Sequence, residues 1–229
     1  MTLLQHVFEP KRLFLTWQPP LSVDVRSRRV VAELVREAEV VTLRYLSSSQ
    51  DFRDATSEGF KGFPAFSPVQ DIHTAGVLDA FVRRLPPRKR DDYRVFLDRH
   101  FLPHDYKGSD FALLGLTGAR LASDSFELFP DMTTATPPVD MLLEVAGFRH
   151  HASISDVALK EAVTFVPETG NSFDQRAIAL HVKGKKIGYV SRPLCPSLLS
   201  LDMARLSGEV VRINGKPERP SVVVFLRYR

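Results

Sequence analysis

The chain has 229 residues, ordinary globular fractions of apolar and charged side chains (44% and 25%), and a net charge of +4. These values argue against wholesale disorder and leave room for two domains of roughly 100 residues. No apolar run approaches the ~20 residues of a membrane span, the N-terminus lacks a secretory layout, and the single cysteine, Cys195, has no internal disulfide partner. The sequence therefore reads as cytoplasmic, with no membrane partner and no cofactor. From Val139 onward there are 13 Lys+Arg against 9 Asp+Glu, whereas the first 138 residues balance at 18 against 18. The whole cationic excess lies in the C-terminal part, where an anionic partner is to be sought first.

In chain order, Arg28 to Leu46 carries two β-branched clusters around a Glu-rich middle and fits a hairpin, although Ala32, Glu33, Leu34 and Glu37 also suit a helix. Thr74 to Leu85 places Val77, Leu78, Phe81, Val82 and Leu85 on one helical face, stopped by Pro86-Pro87. A second helix is predicted over Lys89 to Leu102. Ser109 is the expected N-cap of a third, through Leu116. Ser125 to Phe129 alternates like a strand. The Pro- and Thr-rich stretch from Pro130 to Pro138 has no apolar period. We set boundaries at 1–130 for a first domain, 131–138 for a linker and 139–229 for a second domain.

The second domain reads as mostly β. Strands are expected at Met141–Arg149, Ala162–Val166, Ala177–Val182, Lys186–Val190, Glu209–Ile213 and Ser221–Tyr228, with turns at 167–171, Lys183-Gly184 and Asn214-Gly215. One helix is expected from Pro196 to Leu206. Six short strands and one helix point to a small barrel.

The segment Asn171-Ser172-Phe173-Asp174-Gln175-Arg176-Ala177-Ile178 pairs a flat apolar ring with an acceptor-only carboxylate in a loop entering a strand. An aromatic face is a platform for an unpaired base, and a carboxylate can accept a hydrogen bond from a sugar hydroxyl. Arg149, Lys183, Lys185, Lys186 and Arg192 are positioned in sequence to hold a phosphate backbone. The plainer assignment makes Phe173 core, Asp174 the cap of its own turn, and the lysines a solvated hairpin tip.

Together with Lys186-Ile187-Gly188-Tyr189-Val190-Ser191-Arg192 and the earlier Val145-Ala146-Gly147-Phe148-Arg149-His150-His151, this segment resembles the fingerprint of the HIRAN domain. The family typically reads Asn-Pro-aromatic-Asp-x-x-Ala-Ile and then Ile-Gly-Tyr/His-aliphatic-x-Arg/Lys. The resemblance covers roughly Leu142 to Leu226. It implies a small OB/SH3-like barrel that grips a single-stranded DNA end, with Phe173 stacking a terminal base and Asp174 receiving the 3′-hydroxyl. It also implies that Arg149 and His150 contact sugar-phosphate and base. Lys185, Lys186, Tyr189 and Arg192 complete the candidate nucleic-acid-binding set. His150 and His151 stand where the family has an aromatic pair, and Ser172 replaces its proline.

Residues Thr16 to Pro130 resemble the small N-terminal subdomain of HipA-type toxin kinases. The resemblance rests on Arg28–Val35, Leu43-Arg44-Tyr45-Leu46, Val77–Leu85 with Pro86-Pro87-Arg88-Lys89-Arg90, and Ser109–Gly118 with Ser125–Leu128. It implies a mixed first domain that docks a protein partner. It also admits an alternative role, an antitoxin-like inhibitor of a HipA-type Ser/Thr kinase. No phosphate loop and no kinase catalytic triplet occurs in the chain, so neither a kinase nor any other enzyme is expected. His100 and His104 have metal-ligand spacing, but Pro103 between them breaks the helix they need, and no metal is expected. The fold class is accordingly α+β, a mixed HipA-like domain followed by a HIRAN-like barrel.

Overall fold

The computed structural model describes residues 3–19, 27–216 and 219–229. The chain is α+β and divides into two units: Met1–Leu3 with Glu9–Asp131, and Leu4–Phe8 with Met132–Arg229. Chain order is not unit order, because the first unit is spliced into the second. The stretch expected as a linker is shared between them. Asp131, in the first unit, is buried and bonded to the Arg12 guanidinium (2.8 and 2.5 Å), and Met132 and Ala135 are buried in the second.

In the first unit, β1 (Arg12–Trp17), β2 (Arg29–Glu37), β3 (Val40–Tyr45), β4 (Ile72–His73) and β5 (Phe126–Pro130) form an antiparallel sheet in the order β4-β3-β2-β1-β5. The hairpin expected between Arg28 and Leu46 is β2–β3, with Leu34 opposite Leu43. Among the described residues four helices accompany the sheet: α1 (Gln50–Ser57), α2 (Val77–Val82), α3 (Tyr93–Arg99) and α4 (Asp110–Thr117). The Oγ atoms of Ser49 and Ser109 accept the N–H groups of Phe52 and Ala112 and so start α1 and α4. The core is aromatic: Phe63 stacks on Phe81 at 4.4 Å, and buried Tyr45 donates to the carbonyl of Phe66 while accepting from the N–H of Phe63. Among the described residues no helix is long and apolar enough to cross a membrane.

In the second unit, β6 (Val139–Glu144), β7 (Ala162–Pro167), β8 (Ile178–Val182), β9 (Lys185–Tyr189), β10 (Leu206–Lys216) and β11 (Arg219–Tyr228) form one antiparallel sheet in the order β6-β11-β10-β7-β8-β9. Bulges at Leu180/His181 and Val210/Arg212 interrupt the ladders, the positions where a strand bends and its twist rises. The expected barrel is not closed. The chain just beyond β6 meets β9 at a single bridge, where Ala146 and Tyr189 exchange N–H···O bonds of 2.8 and 2.9 Å. The ladder cannot continue, because Gly147 turns left-handed (φ 71°) and starts a short helix, α5 (Phe148–His151). This also corrects the strand expected through Arg149.

Two further corrections lie in the same unit. The helix expected from Pro196 to Leu206 is α6 (Cys195–Leu199) followed by a 3₁₀ turn at Met203–Arg205, and Leu206 already opens β10. Asn214-Gly215, expected as a turn, lies within β10 opposite Ser221 and Pro220, and the connection falls on 217–218, outside the described residues. Residues Leu4–Phe8 belong to this unit through β6. The Asp140 carboxylate, 2% exposed, accepts the N–H groups of Gln5 and His6 at 3.0 Å and pairs with Arg229, while the Asp140 N–H donates to the carbonyl of His6.

Candidate nucleic-acid interface

The motif residues converge on the β7–β8 loop, on β9 and on α5. The loop is closed at its base by Pro167 opposite Ile178, and by the Glu168 N–H donating to the carbonyl of Ala177. At its tip, the side chain of Asn171 forms an Asx turn, with Oδ1 accepting the N–H groups of Phe173 (2.9 Å) and Asp174 (3.1 Å). That turn directs Phe173 outward, and the residue is 98% exposed. The assignment of Phe173 to the core is thereby excluded.

Asp174 is half-buried and does cap its own turn, with Oδ1 accepting the N–H of Arg176 at 2.9 Å. Its Oδ2 lies 3.7 Å from Nε of Arg192, and Arg176 approaches Oδ1 at 3.6 Å, so the carboxylate sits between two guanidinium groups. On α5, Arg149 and His150 are both exposed, and the Arg149 Nε donates to Nε2 of His150 at 3.1 Å. His151 turns the other way and meets the ring of Tyr189 edge-on at 5.2 Å. Burial first, then Lys186 and His150, holds the His151 imidazole below its ordinary pKa.

The lysines are engaged with carboxylates. Lys186 Nζ donates to Glu168 Oε1 and to the Tyr189 hydroxyl, each at 2.9 Å, and Tyr189 donates to Glu168 Oε2 at 3.0 Å. Lys185 pairs with Asp156 at 2.6 Å, which pulls that carboxyl down to about 2 with help from the N–H and hydroxyl of Ser153. Lys183 pairs with Glu161. Of the eight candidate residues, the structure thus joins Asp174 to Arg192, Lys186 to Tyr189, and Arg149 to His150. Phe173 stands at the tip of the loop that holds Asp174, and Lys185 is directed to Asp156.

Gly188 allows the parts to meet. Its φ is +144°, and a Cβ there would come within 2.5 Å of the Ala146 carbonyl oxygen and 2.6 Å of a Val145 methyl. Only glycine lets β9 approach the β6 end closely enough for the Ala146–Tyr189 bridge.

No family model and no curated protein matches the chain. Two solved structures resemble part of it. The HIRAN domain of human HLTF matches over 39% of this chain and 74% of its own length, at 19% identity and a TM-score of 0.33. A protein from Lactobacillus plantarum matches over 38% of this chain and 92% of its own, at 22% identity and a TM-score of 0.32.

Three residues of the arrangement were not in the candidate set. Glu168 lies in a stretch that reads only as a turn, and Asn171 opens the motif without advertising that both ends of its carboxamide are used. Arg176, exposed beside Asp174, sits between the motif's fixed positions, so the motif does not point to it.

Other histidine, arginine and cysteine side chains have structural employment. Among the described residues no group of three His, Cys, Asp or Glu is placed to hold a metal ion. His104 bonds to Asp98, and His100 packs on Phe96 and bonds to its carbonyl. Arg84, Arg88 and Arg90 pair with Asp124, Asp110 and Asp92. Cys195 is buried, which pushes its thiol up to about 11 and leaves it unreactive at neutral pH.

Proposed function

We propose that the second unit is a non-catalytic module that binds single-stranded DNA, and preferentially its 3′ end. The observation that carries this reading is Phe173, a fully exposed ring held at a loop tip by two hydrogen bonds to the turn beneath it. An aromatic side chain in that position is apolar area left in water for a flat partner, and base stacking on such a ring is worth ~1–3 kcal/mol. Other groups of the same unit suit a nucleotide. Arg149, His150, Arg176 and Arg192 offer donors for phosphate, and Oδ2 of Asp174 can accept a terminal hydroxyl between two cations. The HIRAN resemblance of the same residues points in the same direction. For the first unit, its sequence resemblance to the HipA subdomain supports docking of a protein partner.

The test is fluorescence anisotropy of the full chain with labelled oligonucleotides across a salt series. Phe173→Ala should weaken binding by ~1–3 kcal/mol with an unchanged salt slope, because no phosphate contact is lost. Arg149→Ala should reduce the slope by ~0.7, the value for one phosphate on a single strand. Asp174→Ala should weaken oligonucleotides ending in a 3′-hydroxyl and leave those ending in a 3′-phosphate nearly unchanged. Salt-independent binding, or none at micromolar protein, removes the proposal.

A further inference from the structure

Below the exposed ring of Phe173, a chain of hydrogen bonds runs from the loop tip to Glu168. The link is the carboxamide of Asn171, which uses both ends. Oδ1 accepts two backbone N–H groups of the loop tip, and Nδ2 donates to Glu168 Oε2 at 3.0 Å and reaches the Tyr189 hydroxyl at 3.3 Å. A carboxamide can rotate by half a turn and exchange its oxygen for its nitrogen. Rotated here, the NH₂ group would face two N–H donors and the turn would lose both bonds. The carboxylate of Glu168, which can only accept, selects the orientation that makes the turn. Glu168 is itself pinned: its Oε1 takes Lys186, its Oε2 takes Tyr189, and its backbone carbonyl accepts the N–H of Asn171 at 3.0 Å. Lys186 and Tyr189 both lie on β9, so the orientation of the loop tip is referred back to the sheet.

We infer that Glu168 is a positioning residue of the single-strand site, holding Asn171 in the one orientation that projects Phe173 toward a base. The inference rests on the binding role proposed above. A ring fixed before the ligand arrives loses little freedom on binding, which is where such a clamp raises affinity.

Amide hydrogen exchange and oligonucleotide anisotropy, run on the same full-length variants, separate the two ideas. In Glu168→Ala the N–H groups of Phe173 and Asp174 should exchange at least ten-fold faster. Affinity should drop about ten-fold with no change in salt slope. Asn171→Asp places a second carboxylate against Glu168 and should have the same effect. The double variant Glu168→Gln with Asn171→Asp exchanges donor and acceptor across the contact. The introduced carboxamide can donate to the introduced carboxylate while its own oxygen still takes Lys186. This variant should recover slow exchange and most of the affinity. General damage to the fold would not be repaired this way, so the double variant decides even where Glu168→Ala loosens β7 and β8 as a whole. Wild-type exchange in both single variants, or a double variant no better than Asn171→Asp alone, overturns the inference. Absence of oligonucleotide binding by the wild type with the expected exchange pattern would reject the binding role and leave Glu168 as the loop's clamp.

Discussion

Glu168 takes donors on both carboxylate oxygens, and this sets how it titrates. Hydrogen bonds from Lys186 first, then Asn171, hold its carboxyl down at about 2. An unfolded Glu titrates near ~4.3, so the folded state gains its full contribution above that pH and loses it as pH falls through about 2. The side-chain NH₂ resonances of Asn171, which donates to Glu168, should therefore stay fixed from pH 8 to about 4 and move only in stronger acid. A midpoint at the ordinary Glu value would show the carboxylate to be unclamped. Gly188→Ala meets a backbone oxygen at 2.5 Å in a conformation that L side chains rarely adopt, and should cost more than ~1 kcal/mol. That corresponds to a melting midpoint lower by at least ~4 °C in calorimetry. At this scale the loop from Asn171 to Asp174 was legible as a motif, whereas the second use of the Asn171 carboxamide and the close backbone approach at Gly188 depend on neighbours that only the fold supplies. The engagement of the lysines was not legible: Lys186 meets a carboxylate 18 residues away, a neighbour created only by the β7-β8-β9 order.

Among the elements, strands with clear alternation and helices with a good cap were read at nearly the right place; Ser109 and α4 are the cleanest case. β1 and α1 had no signal. β1 is sandwiched between β2 and β5, and four of its six residues are buried, so its period of two is blurred. α1 is mostly polar, with Ala55 its one buried residue. Barrel closure was over-read, since strand count and spacing carry no information on whether the two edges pair along their length. The edge of β6 is occupied instead by the N-terminal segment through Asp140. Asp140→Ala strands the N–H groups of Gln5 and His6 and removes the carboxylate partner of Arg229, and hydrogen bonds to a charged acceptor are worth ~1.5–3 kcal/mol. Chemical denaturation should show the second unit destabilised by at least ~2 kcal/mol.

For the molecule as a whole, the splice of one unit into the other makes a specific deletion feasible. The first unit begins and ends on neighbouring strands: Leu13 lies opposite Pro130, and the Asp131 N–H donates to the Arg12 carbonyl. Replacing Glu9–Asp131 with a short Gly/Ser bridge should leave a folded second unit that retains Leu4–Phe8, whereas a fragment starting at Val139 lacks Gln5 and His6, whose N–H groups Asp140 accepts. If the second unit carries the single-strand site alone, the bridged protein should bind oligonucleotides within a few-fold of the full chain. Circular dichroism and anisotropy on the bridged and truncated forms check both statements.

The contact between His6 and Asp140 spans 134 positions of sequence. With the first unit unfolded, that contact must close a loop of the full length. With it folded, the bond between Arg12 and Asp131 short-circuits the path to roughly 15 residues, and loop-closure entropy falls by about 2 kcal/mol. The two units are therefore coupled through connectivity, with no interface required. Leu15→Ala, which weakens the sheet of the first unit, should deprotect the N–H groups of Gln5 and His6 by up to about 30-fold once that unit unfolds, although Leu15 lies in a different core. Folding of the inserted unit acts as a tether that shortens the search of the outer one, and synthesis from the ribosome would deliver them in that order: strap, insert, then the strands that the strap awaits.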